Sequence, residues 1–119
     1  MVVKNNYTVK KMISVLSGFN LCSRLEVIDD IAGGCTPALQ CSDIPNCMVF
    51  TLDGDDFVTV GWVIERLKFF KDDVGVLIKS TQYGYEENIT VREFPDYVAL
   101  FLNTEDKDVI RVSNVVKKN

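Results

Sequence analysis

The sequence contains no histidine. Histidine is the commonest general base near neutral pH and a member of the Ser–His and Cys–His catalytic pairs. Its absence excludes those pairs and every metal site that needs an imidazole ligand. Catalysis by carboxylate, lysine, tyrosine or cysteine side chains is the only kind that this composition leaves open.

The sequence also lacks a long apolar run. Crossing a bilayer takes about 20 consecutive apolar residues, and no segment comes near that length. The first 20 residues lack the apolar stretch and small-residue cleavage site of a signal peptide. We therefore expect a cytoplasmic protein without a membrane partner.

Basic residues are missing from the segment between Glu26 and Asp56, which contains seven acidic residues. These are the predicted partner-binding residues: Glu26, Asp29, Asp30, Asp43, Asp53, Asp55 and Asp56. The net charge of -4 argues against nucleic acid, because phosphate binding needs clustered Lys or Arg. The segment predicts a surface that attracts a basic protein, and an ordinary solvated surface is the alternative interpretation.

Length and composition indicate a single globular domain over residues 1–119. Apolar residues make up 47% of the chain and charged residues 25%, which are ordinary values for a folded protein. A chain of 119 residues can bury a core without disulfides or metals. No internal repeat and no interdomain linker is apparent.

The N-terminal part predicts two helices. Thr8 is placed to cap the first helix, and the next apolar residues follow the i, i+3, i+4, i+7 spacing: Val9, Met12, Ile13 and Leu16. A second helix would place Leu21, Leu25, Ile28 and Ala32 on one face and end at Gly33-Gly34. A strand through Leu25 and Val27 is the rival interpretation, because these residues alternate with charged ones.

The remainder predicts a loop, a hairpin, a central helix and a meander. The loop runs from Cys35 to Cys47, and the hairpin joins 48–52 to 57–60 through the turn dipeptide Asp53-Gly54. The central helix covers Trp62 to Lys71. The meander consists of strands at 74–82, 89–94, 97–103 and 109–115. The predicted fold class is therefore α+β, with two N-terminal helices and one central helix packed on an antiparallel sheet of four to six strands.

The four cysteines form the one cluster of metal-ligand type. Cys22, Cys35, Cys41 and Cys47 lack the close C-x2-C pairs from which structural zinc sites usually draw their ligands. With no signal peptide, disulfides are not expected either. Unlinked thiols are the preferred interpretation, and the sequence predicts no metal or cofactor.

The favoured function is a non-catalytic, acidic protein-binding module. An immunity protein or antitoxin that masks a basic nuclease toxin is the concrete version, because its carboxylates would compete with phosphate for the toxin. The first alternative is a small enzyme or ligand-binding domain that uses Glu65 or Glu93 with Tyr85 or Tyr97. The second is a subunit of a larger assembly, held by an exposed strand edge.

Overall fold

A computed structural model describes residues 6–29, 33–54, 56–81 and 84–102. Within these ranges the chain forms two helices and two mixed β-sheets, which is an α+β architecture. The helices are α1 (Val9–Leu16) and α2 (Val60–Leu67). The strands are β1 (Arg24–Asp29), β2 (Gly33–Cys35), β3 (Ala38–Cys41), β4 (Cys47–Thr51), β5 (Val58–Thr59), β6 (Gly75–Ser80), β7 (Gly84–Glu86), β8 (Ile89–Glu93) and β9 (Tyr97–Leu102).

The two sheets have the same plan. The first has the order β2-β1-β9-β8, with β5 also pairing to β1, and the second has the order β3-β4-β6-β7. In each sheet the two central strands are parallel, β1 with β9 and β4 with β6. The outer strands of each path join them in antiparallel hairpins. One apolar core takes side chains from both helices and both sheets, including the fully buried Met12, Phe50 and Leu100.

Each helix begins at a threonine cap. The Thr8 hydroxyl accepts a hydrogen bond from the backbone N–H of Lys11 at 3.2 Å, and the Thr59 hydroxyl accepts one from Trp62 at 3.1 Å. Such caps satisfy donors that the first helical turn leaves free, and each stabilises by about 1 kcal/mol. The predicted first helix and its Thr8 cap are confirmed.

The described chain is an internal repeat of about 51 residues. The order α1-β1-β2-β3-β4 is followed by α2-β6-β7-β8-β9, and α2 begins 51 residues after α1, as β6 does after β1. The hairpin registers also correspond, since Ile28 faces Gly34 and Lys79 faces Tyr85. Both β2 and β7 begin at a glycine of positive φ. The expectation that the chain has no internal repeat is therefore wrong.

The two repeats interlock. The segment before each helix pairs with the strand that follows the other helix: β5 pairs with β1, and Thr8 pairs with Gly75 at the start of β6. The central parallel pairs also join one repeat to the other. In the second hairpin the correspondence shifts by one residue, so that Cys47 matches Tyr97 in the parallel ladders. The repeats are thus related by an approximate two-fold axis, and each sheet contains strands from both.

The repeat leaves a faint trace in the sequence. At a separation of 51 residues, the identical residues are those of the caps, the buried side of the helices and the positive-φ turn. They are Thr8 and Thr59, Val9 and Val60, Ile13 and Ile64, Leu16 and Leu67, Phe19 and Phe70, and Gly33 and Gly84. The residues that repeat are those that build the shared backbone.

The predicted second N-terminal helix is wrong, and the rival strand is present as β1. Leu25, Val27 and Asp29 are buried and alternate with half-buried residues. This period of two is typical of a strand. β1 pairs with β9 on one side and with β2 and β5 on the other, so its backbone groups bond across the sheet rather than within a helix. Gly33 and Gly34 open β2 instead of ending a helix.

The single antiparallel sheet and the predicted hairpin are also wrong. β4 pairs with β3 and β6, whereas β5 pairs with β1 in the other sheet. The predicted loop contains β3, and β7 lies between the first two strands of the predicted meander. The central helix is confirmed, although it begins at Val60. The predicted strand at 109–115 lies outside the described residues.

Both helices in the described part of the chain have eight residues. Neither is long and apolar enough to pass through a bilayer.

Candidate functional site: an acidic pocket on the second sheet

The predicted acidic segment divides between interior and surface. Asp29 is buried, and its carboxylate accepts a hydrogen bond from the backbone N–H of Thr81 at 2.9 Å. Glu26 is half-buried and forms an ion pair with Arg24 at 2.7 Å. Neither carboxylate is presented to a partner without first losing these interactions.

The other predicted residues lie at the surface or outside the described chain. Asp43, Asp53 and Asp56 are exposed, and the Asp53 carboxylate accepts a hydrogen bond from the Thr51 hydroxyl. Asp30 and Asp55 lie outside the described residues. Exposed carboxylates are the members of the set that fit a binding role.

Asp43 is separated from Asp53 by a strand. It precedes β4, and Asp53 follows the same strand. A strand of five residues is about 13 Å long at the usual rise of about 3.3 Å per residue. The structure therefore assigns Asp43 and Asp53 to opposite ends of the second sheet.

The Asp43 end of this sheet carries a pocket of about 320 Å³. The pocket is lined by Ile44, Cys47, Leu77, Tyr85, Glu86, Glu87 and Asn88. Leu77 alternates with the core residues Val76 and Ile78, so it points to the face of β6 away from the core. Ile44 and Tyr85 are each 39% exposed. The floor is apolar, and the adjoining carboxylates make the rim acidic.

Local hydrogen bonds hold this rim. The Ser42 hydroxyl accepts a bond from the backbone N–H of Ile44 at 2.9 Å, which fixes the turn that contains Asp43. The Glu86 carboxylate accepts a bond from the backbone N–H of Asn88 at 2.9 Å. Glu87 is exposed beside it. We call Asp43, Glu86, Glu87 and the lining residues the acidic pocket.

The first repeat has no matching pocket at the equivalent place. Leu77 and Tyr85 correspond to Glu26 and Gly34. The Glu26 carboxylate lies so close to Gly34 that an added Cβ would come within 2.5 Å of Glu26 Oε1. The acidic pocket therefore belongs to the second repeat, and the shared fold does not require it.

The four cysteines are free thiols. Among the described residues, no group of three or more His, Cys, Asp or Glu is arranged to hold a metal ion. Cys35 is half-buried, and burial raises the pKa of its thiol, with further contributions from the negative charges of Asp29 and Glu26. A thiol with a raised pKa is a poorer nucleophile at neutral pH.

The groups of the alternative enzyme hypothesis lie on different elements. Glu65 is on α2, where it pairs with Lys68 at 2.8 Å. Glu93 and Tyr97 flank the β8–β9 turn in the first sheet, and Tyr97 stacks on Phe94. Tyr85 is on β7 in the second sheet and, of these groups, is the one that lines the acidic pocket.

Comparisons of the chain with protein-family models, with curated proteins and with solved structures gave no match. The chemistry of its own surfaces is therefore the basis for a functional proposal.

Sequence reasoning missed most of the pocket. Tyr85, Glu86 and Glu87 lie in a stretch that reads as a connection between strands, and Ile44 lies in a predicted loop. The adjacent pair Glu86-Glu87 was an available charge signal, but nothing local links it to Asp43. That link depends on the pairing of β4 with β6 and of β6 with β7.

Proposed function

We propose that this protein is a non-catalytic binding module that takes a basic segment of a partner protein into the acidic pocket. The supporting observation is an apolar floor edged by carboxylates. A lysine or arginine side chain fits such a site because its aliphatic stem packs on apolar atoms while its charged end meets a carboxylate. Asp43 is the residue that this pocket shares with the acidic segment of the sequence.

In its concrete form the partner is a nuclease toxin and the protein is its immunity protein or antitoxin. A nuclease must present a basic site to the phosphates of its substrate. Carboxylates placed over that site would exclude the phosphates and speed association through charge attraction. The missing histidine and the dispersed carboxylate and tyrosine groups favour binding over catalysis.

The test is affinity capture from the native cell at rising salt, with mass spectrometry of the retained proteins. The decisive variant is Asp43→Asn/Glu86→Gln/Glu87→Gln, which removes the charges while the amides keep acceptor oxygens. We expect it to lose a basic partner that the parent chain retains at low salt and releases at high salt.

A matched control uses acidic residues outside the pocket. Asp53→Asn/Asp56→Asn/Asp72→Asn removes the same three charges from exposed positions elsewhere. This control should retain the partner. Equal loss in both variants would reduce the effect to net charge and contradict a pocket, and retention in both would exclude the acidic pocket as the binding site.

A further inference from the structure

Helix α2 and its C-terminal turn present an exposed stripe. Trp62 and Arg66 are four residues apart, and Phe69 follows three residues later, so the three side chains lie on one side of the helix and its turn. Trp62 is 38% exposed and Phe69 is 80% exposed. Large aromatic side chains at such exposure are typical of surfaces that another molecule covers.

Leu21 extends this stripe from the loop before β1. Its carbonyl accepts a hydrogen bond from the backbone N–H of Gly61 at 2.9 Å, next to Trp62 in the first turn of α2. An added Cβ at Gly61 would lie 3.4 Å from the Cβ of Leu21, so the two segments are in close contact. Leu21 is 51% exposed. We call Leu21, Trp62, Arg66 and Phe69 the aromatic patch.

The internal repeat shows that the fold does not need this patch. In the first repeat the positions of Leu21, Trp62 and Phe69 correspond to Asp72, Lys11 and Gly18. Their backbones nevertheless make the same hydrogen bonds. Gly61 N–H donates to the Leu21 carbonyl at 2.9 Å, and Lys10 N–H donates to the Asp72 carbonyl at 3.1 Å.

The C-terminal turns of the helices match in the same way. Phe69 N–H donates to the Arg66 carbonyl at 3.1 Å, and Gly18 N–H donates to the Val15 carbonyl at 3.2 Å. One backbone thus carries aromatic residues in one repeat and polar or small residues in the other. The difference points to a role in binding rather than in folding.

The charge of the patch indicates what it binds. The Arg66 guanidinium lies over the Trp62 ring, 4.9 Å from its centroid. Among the described residues no carboxylate is within ion-pair distance of Arg66, whereas the neighbouring Glu65 and Lys68 neutralise each other at 2.8 Å. The patch therefore combines one uncompensated positive charge with large apolar surfaces. Tryptophan and arginine are the residue types that most often dominate protein interfaces.

We propose that the aromatic patch docks an acidic segment of a partner protein, with an apolar side chain packed between Trp62 and Phe69 and a carboxylate paired with Arg66. A guanidinium held over a ring is oriented for such a pair. A nucleic acid is a poorer match, because stable phosphate binding needs several clustered basic groups and the chain has a net charge of -4. The patch shares no residue with the acidic pocket and has the opposite charge.

Trp62 is the sole tryptophan of the chain, so its fluorescence reports on the patch directly. The probe is a synthetic amphipathic peptide that presents leucine and glutamate on one face, and its control replaces each glutamate with lysine. We expect a saturable blue shift of Trp62 emission with the acidic peptide and binding weaker by about tenfold or more with the basic one.

Two variants and one control locate the site. Arg66→Glu should weaken binding of the acidic peptide by about tenfold or more, because it replaces attraction with repulsion. Phe69→Gly introduces the residue of the equivalent position and should weaken binding without altering circular dichroism. Lys68→Glu makes the same change of charge two residues away and should leave binding within about twofold. Charge-neutral variants of the acidic pocket should bind this peptide as the parent chain does.

Other results would overturn the proposal. Equal affinity for the acidic and basic peptides, or equal losses for Arg66→Glu and Lys68→Glu, would remove the specific carboxylate pair. Tighter binding of a single-stranded oligonucleotide would identify a nucleic-acid surface instead. A blue shift that depends on protein concentration without peptide, together with a dimer in sedimentation, would identify a second copy of the chain as the occupant.

Discussion

Asp29 and Thr81 are joined by a hydrogen bond that links the two sheets. The Thr81 backbone N–H donates to Asp29 Oδ2 at 2.9 Å. Asp29 ends β1 in the first sheet, and Thr81 directly follows β6 in the second. Asp29 is 1% exposed, so this is a buried charge-assisted bond. An acidic residue that the sequence assigns to a binding surface thus stabilises the contact between the repeats.

Asp29→Ala should lower the free energy of unfolding by about 1–3 kcal/mol. The substitution leaves the Thr81 N–H without its acceptor in a buried place, which is the costly case for a lost hydrogen bond. Denaturant unfolding followed by circular dichroism would measure the change. Asp43→Ala removes an exposed carboxylate and should change stability by no more than about 0.5 kcal/mol. Similar values for the two variants would contradict a structural role for Asp29.

The helix caps provide a second test, which uses the repeat as its own control. Thr8→Ala and Thr59→Ala should each destabilise the protein by about 1 kcal/mol, because each removes an acceptor from the first helical turn. Thr8→Ser and Thr59→Ser should restore most of the stability. Thermal and urea unfolding would measure both pairs. A loss confined to one cap would show that the repeats differ in the way their helices are held.

The Cys35 thiol should show a displaced pH dependence. Burial, Asp29 and Glu26 raise its pKa, so the thiolate forms at higher pH than in an unfolded chain. Alkylation followed by peptide mass spectrometry should therefore modify Cys35 later than the exposed Cys22 and Cys41 as pH rises. Glu26→Gln removes one of the two negative charges and should shift the reactivity profile of Cys35 to lower pH. An unchanged profile would exclude that contribution.

The same shift has a direction in stability. The folded pKa of Cys35 is raised, so the unfolded chain loses this proton first and stability falls as pH passes above the unfolded thiol value of about 8.5. Cys35→Ser should make stability less dependent on pH in that alkaline range. Urea midpoints measured at neutral and alkaline pH would test this.

Separating the repeats should abolish the fold of each. Both central parallel pairs, β1 with β9 and β4 with β6, join one repeat to the other. A chain ending after Asp53 would lose the partners of β1 and β4. We expect each half alone to lack the native circular dichroism spectrum and the two halves mixed to recover it. A stable, folded monomer from either half would contradict the interlocked arrangement.

The features that the sequence predicts correctly are local. Thr8 and the spacing of Val9, Met12, Ile13 and Leu16 lie within ten residues and specify α1 without help from elsewhere. The segment from Leu21 to Ala32 has apolar residues compatible with either period, and pairing with distant β9 selects the strand. Short apolar runs of this kind are decided by tertiary contacts.

The candidate sites escaped sequence reasoning for the same reason. Ile44 and Tyr85 line one pocket only because β6 pairs with both β4 and β7. The aromatic patch becomes meaningful only by comparison with Lys11, Gly18 and Asp72, and that comparison needs the structural correspondence. Charge counting along the chain identified Asp43, but it could not separate it from the buried Asp29.

The pairing of β1 with β9 has a consequence for how the chain folds as it is made. β1 is among the first strands to be synthesised, and its central neighbour is the last described strand. The first sheet therefore cannot close until nearly all of the described chain is available. Contacts so distant in sequence are typical of slow folding, because a long loop must be ordered before the pairing stabilises it. During that interval the apolar face of β1 would be exposed to other molecules in the cell.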